Sequence, residues 1–223
     1  MPMLPRRRRS VPPVAAELPH SAPVVSVAEI RDYHLINAEV VRHLDAGQLH
    51  VQLVGAEGQR LLLAGLAGAW TAVIEIDGRA GPELAAGLDA AGLTVVCRGP
   101  AADGAARGMR GGLIIVRGDV GAAVGYAQVG GAVVVWGAAG PRAGLNQAGG
   151  DLMLLGRVGA LAGERQAGGR VFAVGAWLGP HASHGQRGGR FLTLAERDDL
   201  ATGLDPDEAH AAMTLRGKAL PWL

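Results

Sequence analysis

A chain of 223 residues that is 49% apolar but only 4% aromatic, with 36 glycines, must build its core from small aliphatics on a glycine-punctuated backbone, which argues against an ordinary helical bundle. A formal net charge of +1 gives no global pull towards nucleic acid or acidic membranes. The single cysteine, Cys97, excludes an internal disulfide or a thiolate-only metal site and fits a reducing cytoplasm, and no apolar run reaches the length of a transmembrane helix.

The chain opens with MPMLPRRRRSVPPVAAELPHSAP. Arg6 to Arg9 resemble the basic start of an export signal, but no apolar segment follows, so residues 1–24 are expected to be a disordered Arg- and Pro-rich tail. Residues 25–50 read as a cap: a strand through Tyr33–Ile36 followed by a helical turn.

From residue 51 to residue 194 the sequence is periodic. Three consecutive 19-residue blocks begin at Gly111, Gly130 and Gly149 and repeat glycine at offsets 0, 1, 7, 10 and 14. The register decays outward through blocks at 51, 71, 91, 168 and 188, the block at 168 gaining one residue near Gly179-Pro180. Each block starts with a short stretch of period two. Offsets 3 and 5 hold Ile74/Ile76, Thr94/Val96, Ile114/Val116, Val133/Val135, Leu152/Leu154, Val171/Ala173 and Phe191/Thr193, read as the inward face. Glu75, Asp77, Arg117, Asp151, Arg170 and Arg190 fall at neighbouring offsets, with Cys97 among them, read as the outward face. One strand plus two short segments per block is the length of one coil of a parallel β-helix, whereas a strand–helix–strand unit needs about 30 residues. The expected fold is all-β: a single-stranded parallel β-helix of six to seven coils of 19–20 residues, capped at both ends because a solenoid exposes raw β edges there. Residues 195–223 form the second cap, with a short helix starting at Asp205-Pro206-Asp207 and ending near Gly217.

One polar column runs through the repeats. Gln128, Gln147, Gln166 and Gln186 stand two residues before successive glycine pairs, with Met109 in the same column one coil earlier. Equivalent residues of stacked coils lie about 4.8 Å apart, so the four amides form either a structural ladder or a stripe offered to a partner. Trp136, at an outward offset of a central coil, is the aromatic placed to contact another protein; a singly exposed ring is the plainer reading.

No catalytic, cofactor-binding or metal-binding residue can be assigned. The glycine spacing matches neither a dinucleotide-binding nor a P-loop motif. His181 and His184 lack a nearby carboxylate to complete a metal site and read as a surface loop. The outward strand positions bring no acidic pair together on adjacent coils, against a carbohydrate-active β-helix enzyme.

The stretch GMRGGLIIVRGDVGAAVG, residues 108–125, resembles the glycine-repeat domain at the C-terminus of the glutamate synthase large subunit and its stand-alone relatives. It also resembles the C subunit of formylmethanofuran dehydrogenase and of the related formyltransferase/hydrolase complex. The resemblance covers residues 33–194 and implies a right-handed β-helix that braces catalytic subunits without catalytic residues of its own. YHLINAEVVRHLDAGQ resembles the strand carrying an asparagine, here Asn37, that leads into the repeats of the glutamate-synthase-like branch. The main expectation is therefore a non-catalytic, cytoplasmic subunit of a glutamine-dependent, glutamate-synthase-like complex. Its partners would be an amidotransferase and a flavin-dependent synthase subunit, with any FMN and iron–sulfur centres on those partners. Two alternatives stand: a scaffold of a formyl-transferring complex, and a free-standing β-helix enzyme or binding protein.

Overall fold

A computed structural model describes residues 22–30, 32–196, 200 and 202–222. The tail expected over residues 1–24 therefore lies outside the described residues up to residue 21.

The chain forms one nine-stranded, all-parallel sheet in which spatial order follows sequence order. An edge strand β1 (Val24–Ser26) and two helices, α1 (Val27–Ile30) and α2 (Tyr33–Asp45), precede the repeats. Then come β2 (His50–Glu57), β3 (Ala72–Arg79), β4 (Asp89–Cys97), β5 (Gly111–Val116) and β6 (Ala132–Val135). Strands β7 (Ala148–Leu154), β8 (Gly168–Val174) and β9 (Arg190–Leu194) complete the sheet, and helix α3 (Pro206–Ala219) follows. Each strand pairs with its successor one coil on, so β2 to β9 wind a β-solenoid of about seven turns. A second, single-residue ladder (Ala80, Ala101, Val120, Ala139, Val158, Leu178) marks another side of the coil.

The register stacks Ile74, Val95, Ile114, Val133, Leu152, Val171 and Phe191 into one interior column. A second column holds Ile76, Cys97, Val116, Val135, Leu154, Ala173 and Thr193. The inward assignment from sequence therefore holds in every coil but one. In β4 the inward residues are Val95 and Cys97, not Thr94 and Val96, because the coil that pairs Ile74 with Val95 carries an extra residue.

The outer face differs more. From Val96 onward the centre column of that face is an apolar stripe of Val96, Ile115, Val134, Met153, Phe172 and Leu192; Glu75 precedes Val96 in this column, and most of the other charged residues read as outward flank it two positions along their strands. Ala212, Leu215 and Ala219 of α3 close over it. This helix begins with a capping box in which the Asp205 carboxylate accepts from the Glu208 N–H, and it continues past Gly217 to Ala219. It lies along the outer face of the sheet.

At the other end α2 replaces the strand expected through Tyr33–Ile36. Asp32 caps it by accepting from the His34 N–H, and Ile36, Val40 and Leu44, at i, i+4 and i+8, are buried against the first coil. Asn37 ties the helix down: its Nδ2 donates to the Leu61 carbonyl at 3.1 Å, and its Oδ1 accepts from the Leu63 N–H at 2.7 Å.

The repeated glycines answer two different demands. A Cβ on Gly149 would lie 2.0 Å from the Val129 carbonyl oxygen of the coil below, whereas Gly150 adopts φ +73°. Gly149→Ala must therefore push two coils apart. We expect it to lower stability by about 3 kcal/mol or more, visible as a lower urea midpoint, or to leave no soluble protein.

Positive φ is not confined to glycine. Along the turn side every second residue is left-handed, as at Arg142, Gly144 and Asn146 (φ 62°, 71° and 52°). Their N–H groups point alternately to the next and the previous coil: Arg142 to Ala160 O, Gly144 to Val124 O and Asn146 to Glu164 O, all at 2.8–2.9 Å. Each non-glycine residue held so costs about 1–2 kcal/mol, and the bonds between coils keep it there.

Candidate functional site

The glutamine column faces the interior. Gln128, Gln147 and Gln166 are fully buried, at 0% exposure, and Gln186 on the last coil is exposed. The reason lies in the turn that precedes each glycine pair, where the alternating backbone aims this position inward. Further down the solenoid the same column is filled by Leu66, Leu88 and Met109, all buried.

Each glutamine Nε2 donates to the carbonyls of the two glycines that follow, Gly149 and Gly150 for Gln147 at 3.3 and 3.2 Å, and also reaches the Arg170 carbonyl of the next coil. The amides also bond to one another: Gln166 Nε2 to Gln147 Oε1 and Gln186 Nε2 to Gln166 Oε1, each at 3.3 Å. At the foot of the ladder Gln128 Oε1 is buried, with no partner among the described residues. These side chains satisfy glycine-corner carbonyls that tight turns would otherwise strand away from water.

Trp136 is not a partner-facing residue. It is 9% exposed and sits in the outer apolar cluster covered by α3. The sequence signal that was passed over is the strand-centre column, apolar from Val96 to Leu192, which calls for a covering element.

Cys97, read as outward, is sealed in the core with its Sγ 3.4 Å from the Gly99 carbonyl. Burial pushes its thiol above the ordinary value, an effect that backbone hydrogen bonds only partly offset. Since the thiolate is the reactive form, Cys97 should not react with a water-soluble disulfide reagent in the native protein and should react completely after denaturation.

Elsewhere the charged groups pair mostly between adjacent coils. Arg98 grips Glu75 through Nε and Nη2 at 3.0 and 2.6 Å, Arg170 grips Asp151 at 2.7 and 2.9 Å, and Arg107 reaches Glu83 at 2.7 Å. A depression of about 830 Å³, open to solvent, lies on the turn side of the early coils. There the Arg107 guanidinium sits 5.5 Å from the centre of the Tyr126 ring. His181 and His184 lie on the exposed turn of the last coil. Among the described residues no three His, Cys, Asp or Glu side chains come together as a metal site, and no helix is long and apolar enough to cross a membrane. What the geometry provides is a rigid rod with a helix strapped to one face and broad surfaces for contact.

Such a rod, with glycine corners and an interior amide ladder, defines the chain as a β-solenoid. No protein-family model matches it, and no curated protein does. Among solved structures it is similar to a chain of the formyltransferase/hydrolase complex FhcABCD from Methylorubrum extorquens, solved in complex with methylofuran, at 26% identity and a TM-score of 0.56. The likeness takes in 66% of this chain and 56% of that one, so it spans little more than half of the neighbour's length.

Proposed function

We propose that this chain is a non-catalytic scaffold subunit of a formyl-transferring complex of the formyltransferase/hydrolase type. The observation that carries this reading is the shared solenoid, at 26% identity, with a chain of such a complex. It replaces the glutamate-synthase-like expectation, for which the comparison offers no support. The residue that favoured that branch, Asn37, lies on a capping helix and not on a strand leading into the repeats. A scaffold role also suits a chain whose buried polar side chains serve mainly its own backbone and coil-to-coil contacts.

The test is a native pull-down of the chain from its own organism, with partners identified by mass spectrometry. The expected result is a formyltransferase together with an amidohydrolase-like metal subunit. An amidotransferase with a flavoprotein would return the chain to the glutamate-synthase-like branch. A chain that comes down alone would overturn both scaffold readings.

A further inference from the structure

The two ends of the solenoid are not equivalent. The first coil is closed by α2, whose Asn37 occupies the backbone groups at Leu61, Leu63 and Ala64. Among the described residues no such lid covers the last coil: α3 lies on the outer face of the sheet, and residues 184–187 are exposed.

The hydrogen-bond pattern of the inner coils shows what that open end presents. In each coil two left-handed residues donate forward: Leu161 N–H to the Pro180 carbonyl at 2.9 Å and Arg165 N–H to the His184 carbonyl at 2.8 Å. Two carbonyls accept from the coil ahead: Ala162 O from Ser183 N–H at 2.7 Å and Gln166 O from Arg187 N–H at 2.8 Å. Their equivalents in the last coil are the donors His181 and Gly185, left-handed in their turn at φ 61° and 66°, and the acceptors Ala182 and Gln186. Among the described residues none of these four groups has a forward partner. The amide ladder stops there as well: Gln186 Nε2 donates back to Gln166 Oε1, and among the described residues no donor reaches Gln186 Oε1.

We propose that this rung is a docking edge for an extended acidic segment of a partner protein, which adds the next rung of the solenoid. Strand addition to a free edge supplies affinity through main-chain bonds and specificity through side chains at fixed places. Here the segment's carbonyls would meet the His181 and Gly185 N–H groups, and a Gln or Asn in register would donate to Gln186 Oε1. Charge decides the rest. Arg187 is exposed on the rung, Arg165 packs beside Gly185 from the coil below, and the nearby Glu164 is held by Arg142. Carboxylates on the segment would complement this end, whereas a second copy docked end to end would set like charges face to face. The inference rests on the scaffold reading in taking the segment from a partner subunit.

The test is amide hydrogen exchange read at residues 179–194 in three samples: the free chain, the chain with a ten-residue peptide of alternating Glu and Gln, and the assembly isolated with its partners. The expected result is that exchange at His181 and Gly185 slows at least tenfold in the assembly and measurably with the peptide. The double variant His184→Glu, Arg187→Glu, whose exposed side chains form no hydrogen bond or ion pair among the described residues, should abolish both effects, and Arg60→Glu on the early coils should abolish neither. Partners that copurify while these amides stay unprotected would leave the scaffold reading standing and make this rung a polar end cap only. Protection that grows with chain concentration, alongside a dimer in sedimentation, would make a second copy the occupant and overturn the proposal. Should no subunit copurify, protection by the peptide sustains the edge independently, and its absence overturns it.

Discussion

Val133→Asp should leave no soluble folded protein at neutral pH. Val133 is fully buried at the centre of the rod, stacked between Ile114 and Leu152 in the aliphatic interior column. Burying an unpaired polar group there costs several kcal/mol, and a charge costs more unless it takes up a proton. A domain of this size has about 5–15 kcal/mol to lose. The loss also propagates, since each coil is stabilised by its two neighbours and a broken central coil separates the rod into halves. Asp151→Lys, on the outer face of β7 next to the interior Leu152, is the matched control. It breaks the pair with Arg170 and sets two cations together, yet both side chains are partly solvated, so we expect a cost of about 1 kcal/mol. Soluble yield and urea midpoints of the two variants decide the matter. Soluble Val133→Asp with insoluble Asp151→Lys would mean that the strand phase is reversed.

The rod itself was legible in the sequence because its physics is local and repeated. A glycine that must let another backbone pass recurs at the same offset in every coil, as do the aliphatics of the interior columns. Gln128, Gln147, Gln166 and Gln186 stood out for the same reason, although their direction did not. A polar residue in a turn reads equally as solvated or buried until the alternating left-handed backbone fixes where it points. Three features escaped. The phase of β4 slipped because a single extra residue in an aperiodic coil turns every side chain over. The strand expected at Tyr33–Ile36 is the first turn of α2, whose apolar residues at i, i+4 and i+8 were the signal for a helix. Trp136 sits in the outer apolar cluster, whose centre is apolar from Val96 to Leu192 and needs a cover that α3 supplies, although charged residues flank it along most of its strands. These are failures to place non-repeating elements, and tertiary contact decides those.

The Gln ladder permits a prediction in which two similar substitutions differ in outcome. Gln147 sits mid-ladder: its Nε2 serves the carbonyls of Gly149, Gly150 and Arg170, and its Oε1 accepts from Gln166. Gln147→Leu keeps the bulk but strands those carbonyls and removes the acceptor of the next amide. An unsatisfied buried polar group costs about 1–3 kcal/mol, so the variant should lose about 2–4 kcal/mol with its m-value unchanged. Gln128 stands at the foot of the ladder. Its Oε1 has no partner among the described residues, and its neighbour in the column below is the buried Met109. Gln128→Met extends an apolar column that Leu66, Leu88 and Met109 have begun and removes an unsatisfied acceptor, but it also strands the carbonyls of Gly130, Gly131 and Asp151 that its Nε2 serves. The gain and the loss partly offset, so the net loss should be about 1–2 kcal/mol, smaller than at Gln147, where the bond from Gln166 is lost as well. Denaturant midpoints read from the unmasking of Cys97 would report both variants on one scale. Equal losses would show that the amides act singly at their own glycine corners, and a much larger loss at Gln147 would show that the ladder acts as a connected chain whose middle rung matters more than its end.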